Sequence, residues 1–181
     1  LLELDIETFN ALVAQAPIGA EGVSMLPFLN GERVPALPHA TGSVLGLTMG
    51  NLTRANLCRA VVEGTTFGLR HGLDLLHHNG LQSLRICLIG GGSKSAVWRQ
   101  IVADTLNMPV VCPEQSEAAA LGAAIQAAWC TSSANGHEDS LADLCERCVR
   151  LDPASETWPI AENVAASQLA YERYQRHVAT L

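Results

Sequence analysis

Positive charge is scarce in this chain. Eleven Lys and Arg stand against 18 Asp and Glu, and the net charge is −7 over 181 residues. A surface for nucleic acid needs clustered Lys and Arg to meet phosphates, so that class of partner is excluded. No basic stretch followed by an apolar run opens the sequence, so no secretory signal is expected. Apolar runs long enough to cross a bilayer are also missing, because the longer ones are interrupted by charges. A second C-x-x-C pair is absent as well. Cys145 and Cys148 stand alone at that spacing, inside a segment with helical pattern, which argues against a zinc ribbon and for a helix face. The other cysteines, Cys58, Cys87, Cys112 and Cys130, sit in apolar periodic segments, where Cys behaves as a small buried hydrophobe.

What remains is a globular composition, 48% hydrophobic and 16% charged, in a length that suits one domain. A cytoplasmic protein is expected. A helix reads from "LDIETFNALVAQ" up to Pro17, with Ile6, Phe9, Leu12 and Val13 on one face. Two short strands follow, in "GVSML" and "SVLGLT", separated by a loop rich in Pro and Gly. A long helix runs from Thr53, a suitable N-cap, to an Asn79-Gly80 stop. Its apolar stripe is Leu57, Val61, Leu69, Leu73 and Leu76. Gly64, Gly68 and Gly72 fall four apart on one face, where another backbone can approach closely.

The second half alternates strand and helix, which implies crossover connections and parallel strands. "LRICLIGG" reads as a buried strand, "SAVWRQIVADTLN" as a helix, "PVVCP" as a strand. "SEAAALGAAIQAAWC" reads as a helix of small residues that packs tightly. "TSSANGHEDS" reads as a loop, "LADLCERCV" as a short helix, "LDPASETWP" as a lead-in, and Ile160 to about Ala179 as the last helix.

The most informative stretch is "LIGGGSKSAVW", an apolar strand that enters three glycines and then a helix. The first N–H groups of a helix are unpaired and carry partial positive charge, and glycine leaves main chain bare. Gly90, Gly91 and Gly92 therefore suit either a tight turn or a nucleotide lying against backbone. The pattern is neither G-x-G-x-x-G nor a P-loop. Ser95 is either an N-cap or a contact to the base, and Lys94 reads as a solvated lysine.

"GSVLGLTMGNLTRANLCRAVVE" resembles the second, two-block signature of the FGGY family of carbohydrate kinases. Gly42, Val44, Gly46 and Leu47 fall on the first block, and Asn56, Leu57, Ala60, Val61, Val62 and Glu63 on the second. "FLNGERVP" and "GGGSKSAVWRQIVAD" are similar to segments of the branch that phosphorylates xylulose. The resemblance implies an α/β, actin-like (ribonuclease-H-like) lobe, a mixed sheet flanked by helices. Residues 1–181 would form one domain, the C-terminal lobe. It implies ATP and Mg²⁺ as cofactors, with Gly90, Gly91, Gly92 and Ser95 against the adenine nucleotide.

The acceptor implied is a pentulose, held mainly by an N-terminal lobe that also carries the D-x-G-[TS] loop and the aspartate acting as general base. Neither is found in this sequence, so the chain alone is expected to be inactive. Asp5 and Asp104 are not assigned that role, and Asp104 reads as structural. Glu32 and Arg33 are candidates for phosphate or lobe contact, or for a loop salt bridge. Glu63 is placed to pair with Arg59, and His77 and His78 suit the helix C-terminus. Relatives in this family are often dimers, so a homodimer is one expectation. Other readings are a gluconate, ribulose or glycerol kinase of the same family, or a non-catalytic actin-like interaction module.

Overall fold

A computed structural model describes residues 3–136 and 140–181. Helix α1, Ile6–Gln15, starts at Asp5, whose carboxylate accepts the Thr8 amide at 2.7 Å. That bond holds the Asp5 carboxyl below its ordinary value. Strands β1, Ser24–Leu26, and β2, Ser43–Leu45, pair antiparallel around the Pro-punctuated loop. Helix α2, Arg54–His78, is capped by Thr53, which accepts from the Asn56 amide at 3.1 Å. It ends where Gly80 takes a φ of +90° and the Leu81 amide turns back to the Leu76 carbonyl at 3.1 Å.

Strand β3, Ile86–Cys87, pairs parallel with β4, Val110–Pro113, and helix α3, Ala96–Leu106, makes the crossover between them. Helices α4, Ala118–Ala134, and α5, Leu141–Cys148, follow. Strand β5, Leu151–Thr157, then pairs antiparallel with β4. Helix α6, Ala161–Val178, closes the chain. The sheet order is β3-β4-β5, a mixed sheet with helices against it, as the fold expectation had it.

Two apolar clusters hold this together. Phe67 of α2 lies against Tyr171 and Tyr174 of α6, with ring centroids 5.6 and 5.4 Å away, and Leu26 and Phe28 close the cluster from the β1 side. Burial pushes the Tyr174 phenol up to about 12. Val13, Cys58, Val62 and Ile101 join α1, α2 and α3.

Several expectations are corrected. The lead-in "LDPASETWP" contains β5, because β4 offers a free edge to which Leu151–Thr157 can pair. Thr131–Ala134, expected in a loop, extend α4; residues 137–139 of that loop lie outside the described residues. The expected tight packing of α4 is not found. Only Ile125 of that helix is buried, since small side chains make a thin apolar surface and the described contacts of α4 are with α5. "LRICLIGG" is extended and paired only at Ile86–Cys87, with Cys87 exposed. Cys130 and Cys148 are also exposed, and only Cys58 and Cys112 behave as buried hydrophobes. The leucine stripe of α2 is half right. Leu69 and Leu76 are more than half exposed, while Cys58, Ala60, Val62 and Phe67 supply the buried face.

Candidate nucleotide site

The strand-to-helix junction is built from three local devices. Gly90 takes φ +85° and ψ −175°, a conformation that only glycine adopts without strain, and this breaks the strand. Gly91–Lys94 then form one 3₁₀ turn, in which both the Ser93 amide and its hydroxyl donate to the Gly90 carbonyl, at 3.1 and 2.7 Å. Ser95 caps α3 by accepting from the Trp98 amide at 3.2 Å, and its hydroxyl donates to Asn10 of α1 at 2.8 Å.

The turn is fixed from behind and open in front. Arg99 donates to the Ser93 carbonyl at 2.7 Å. The Trp98 ring fills the space beside Gly92, so that a Cβ there would meet it at 2.6 Å, and the Trp98 indole N–H is anchored on Thr66 Oγ1 at 3.1 Å. Gly90 and Gly91 are exposed, and a Cβ on either would meet nothing within 4 Å. Bare main chain is therefore presented at Gly91, beside the start of α3. The side chain of Lys94 is exposed. Asn10 and Trp98 are residues that sequence reasoning missed as supports of the turn. The Ser-x-x-Trp spacing was visible, but the approach of α1 was not.

The signature region has a different job. Asn51 donates through Nδ2 to the Glu21 and Gly46 carbonyls at 3.1 and 2.9 Å, and Asn56 Nδ2 donates to the Glu21 carboxylate at 2.7 Å. Glu63 accepts from the Gly19 amide at 2.9 Å and from Arg59 Nε at 2.7 Å. Gly46, with φ +79°, would bring a Cβ to 2.3 Å from the Gly22 carbonyl oxygen. Together these residues clamp the turn at residues 19–22, in which Ala20 and Glu21 hold φ values of +48° and +51°. Positive φ at non-glycine residues is unfavourable and persists only where surroundings hold it.

Asp104 is structural, as expected. Its carboxylate is buried and accepts from the Ile160 amide at 2.8 Å, from Asn163 Nδ2 at 2.9 Å and from Gln100 Nε2 at 2.8 Å, which ties α3 to the start of α6. Asp104→Ala orphans the Ile160 amide and is expected to destabilise the chain by about 2 kcal/mol. A urea midpoint unchanged from wild type would refute this role. Glu32 closes its own loop by accepting the Arg33 and Val34 amides at 2.6 and 3.3 Å, and Arg33 is exposed. Among the described residues no group of three or more His, Cys, Asp or Glu is placed to hold a metal ion, so no Mg²⁺ ligand is assigned here. Among them, too, no helix is long and apolar enough to cross a membrane.

Residues 3–131 match the C-terminal domain of the FGGY family of carbohydrate kinases. The chain belongs to that family. This FGGY chain is 54% identical, over all 181 residues, to the xylulose kinase of Haemophilus influenzae, of which it covers 36%. Among solved structures it is similar to the ligand-bound xylulose kinase of Lactobacillus acidophilus, with a TM-score of 0.87 and 26% identity, covering 100% of this chain and 36% of that one. It is also similar to the gluconate kinase of the same organism, with a TM-score of 0.86 and 26% identity, covering 99% and 35%. The FGGY chain thus spans about a third of the length of the relatives it matches. Their fold is the actin-like lobe anticipated from the signature.

Proposed function

We propose that this chain is the nucleotide-side lobe of a sugar kinase that transfers the γ-phosphoryl of ATP to a hydroxyl of xylulose. The observation that carries the reading is the open glycine junction, with bare main chain at Gly91 next to the N-terminus of α3. A nucleotide can lie flat on such a surface, and the helix start favours phosphate charge. Gly90, Gly91, Gly92 and Ser95 make up the proposed nucleotide wall. In it Gly90 supplies the sharp bend, Gly91 the open face, Gly92 the seat for Trp98, and Ser95 the corner from which α3 departs.

Phosphoryl transfer depends on holding donor and acceptor in line while phosphate charge is neutralised. Mg²⁺, when bound to the nucleotide, supplies part of that neutralisation. What this chain contributes is grip and orientation of ATP. Its acceptor and general base belong to the rest of the kinase, so the lobe alone is proposed to be inactive. Xylulose is favoured over gluconate by the sequence likeness, since the two structural likenesses are equal within 0.01 in TM-score.

ADP at 100 times its dissociation constant should stabilise the chain by about 2.7 kcal/mol, a rise in Tm of about 5–10 °C. Gly91→Val should remove that response and leave the ligand-free Tm unchanged, because nothing stands in the way of the new side chain. A wild-type Tm that does not move up to millimolar ADP overturns the proposal and favours a non-catalytic actin-like module.

A further inference from the structure

Strand β3 is the outermost strand of its sheet, and only one of its edges is used. The Ile86 and Leu88 amides donate inward, to the Pro109 and Val111 carbonyls at 2.8 and 2.9 Å. Alternation along a strand turns the Cys87 amide toward the free edge. Across from β3 stand Leu69, Leu73 and Leu76 of α2, with a groove of about 800 Å³ between them whose lining carries no charged side chain. The side chains that border it are left in water: Leu76 is 52% exposed and Ile89 55%. Patches of this kind mark contact surfaces.

The glycines of α2 say what kind of object fits. At Gly64 the backbone of β1 already lies against the helix, so close that a Cβ would be 2.2 Å from the Met25 carbonyl oxygen. Gly68 and Gly72, one and two turns on, line the same groove and meet nothing within 4 Å. A second backbone running over them would be received as β1 is at Gly64. An extended segment with apolar side chains on its helix-facing side satisfies both walls, since its main chain can also bond the edge of β3. The short extent of β3 has the same origin: its apolar run has a pairing partner on one side only.

We propose that a β-strand from the portion of the kinase outside this chain joins the sheet at the free edge of β3, with its backbone packed over Gly68 and Gly72. The proposal rests on the reading of the chain as one part of a longer kinase. The relatives supply the material, because the chain covers 36% of the Haemophilus influenzae enzyme and matches the C-terminal domain of the family.

The test compares the isolated chain with a chimera in which this chain replaces the matching third of the Haemophilus influenzae xylulose kinase. Amide hydrogen exchange at Cys87 should be at least 100-fold slower in the chimera, while Ile86 and Leu88 are protected in both. Gly72→Leu should leave the Tm of the isolated chain equal or higher and lower that of the chimera by several degrees. Equal Cys87 exchange in both proteins, or equal effects of Gly72→Leu, overturns the proposal. So does protection of Cys87 that grows with concentration of the isolated chain and needs no other polypeptide, because a second copy would then be the occupant. Since the ADP response of the isolated chain is measured separately, protection at Cys87 without that response would leave this inference standing and remove the nucleotide reading.

Discussion

Glu63→Ala should be among the most damaging single changes in this chain, with an expected loss of about 3–5 kcal/mol. The carboxylate is 3% exposed and the Arg59 guanidinium facing it belongs to a residue 8% exposed. Removing it leaves a buried cation without its partner at 2.7 Å and the Gly19 amide without its acceptor at 2.9 Å. The turn clamped by that amide then loses the contact that holds its positive φ values. Domains of this size are stable by about 5–15 kcal/mol, so a large share is at stake. Glu63→Gln keeps an acceptor for Gly19 and loses the charge, and should cost about 1.5–3 kcal/mol. Replacing both members, Arg59→Met with Glu63→Leu, removes the buried charges together and should be milder than Glu63→Ala. Urea unfolding at constant m-value measures all three. A loss below about 1 kcal/mol for Glu63→Ala would mean that water reaches the pair.

Gly64→Ala is the second large effect, and its interest lies in a change of sign along one helix face. In a helix, alanine is better than glycine by about 1 kcal/mol. At Gly64 the added methyl would sit 2.2 Å from the Met25 carbonyl oxygen and 3.1 Å from its carbon, and these are backbone atoms that cannot rotate away. Strand β1 must lift from α2, which disturbs the cluster of Leu26 and Phe28 against Phe67. We expect a net loss of about 3 kcal/mol. Gly68→Ala, one turn later, meets nothing within 4 Å and should stabilise the isolated chain by about 0.5–1 kcal/mol. Equal effects at the two positions would mean that the approach of β1 is not tight in solution.

The glycine stripe illustrates how far sequence reasoning reaches. Four-residue spacing showed that a face of α2 was bare, but not that β1 would occupy one third of it and leave the rest open. The leucines beside it read as a core stripe because amphipathic periodicity reports which side chains share a face, not what covers that face. The same reason explains α4, whose small residues read as tightly packed yet are mostly exposed. At the glycine junction the local pattern was legible: a bend at Gly90, a cap at Ser95 and an open Gly91 all follow from residue chemistry. The seating of Trp98 on Gly92 and the bond from Ser95 to Asn10 were not, because the second joins residues 85 apart.

By itself the sequence determined the helix starts and stops, the strand–glycine–helix order, the absence of a cationic surface and the FGGY membership. These depend on neighbouring residues, on composition, or on motifs read along the chain. Only the tertiary structure decided that the signature segment clamps the turn at residues 19–22, that Asp104 joins α3 to α6, and that the edge of β3 faces an apolar groove. Each of these is a contact between segments distant along the chain. The free energy that selects it comes from burial and from hydrogen bonds formed only after both partners have been brought together.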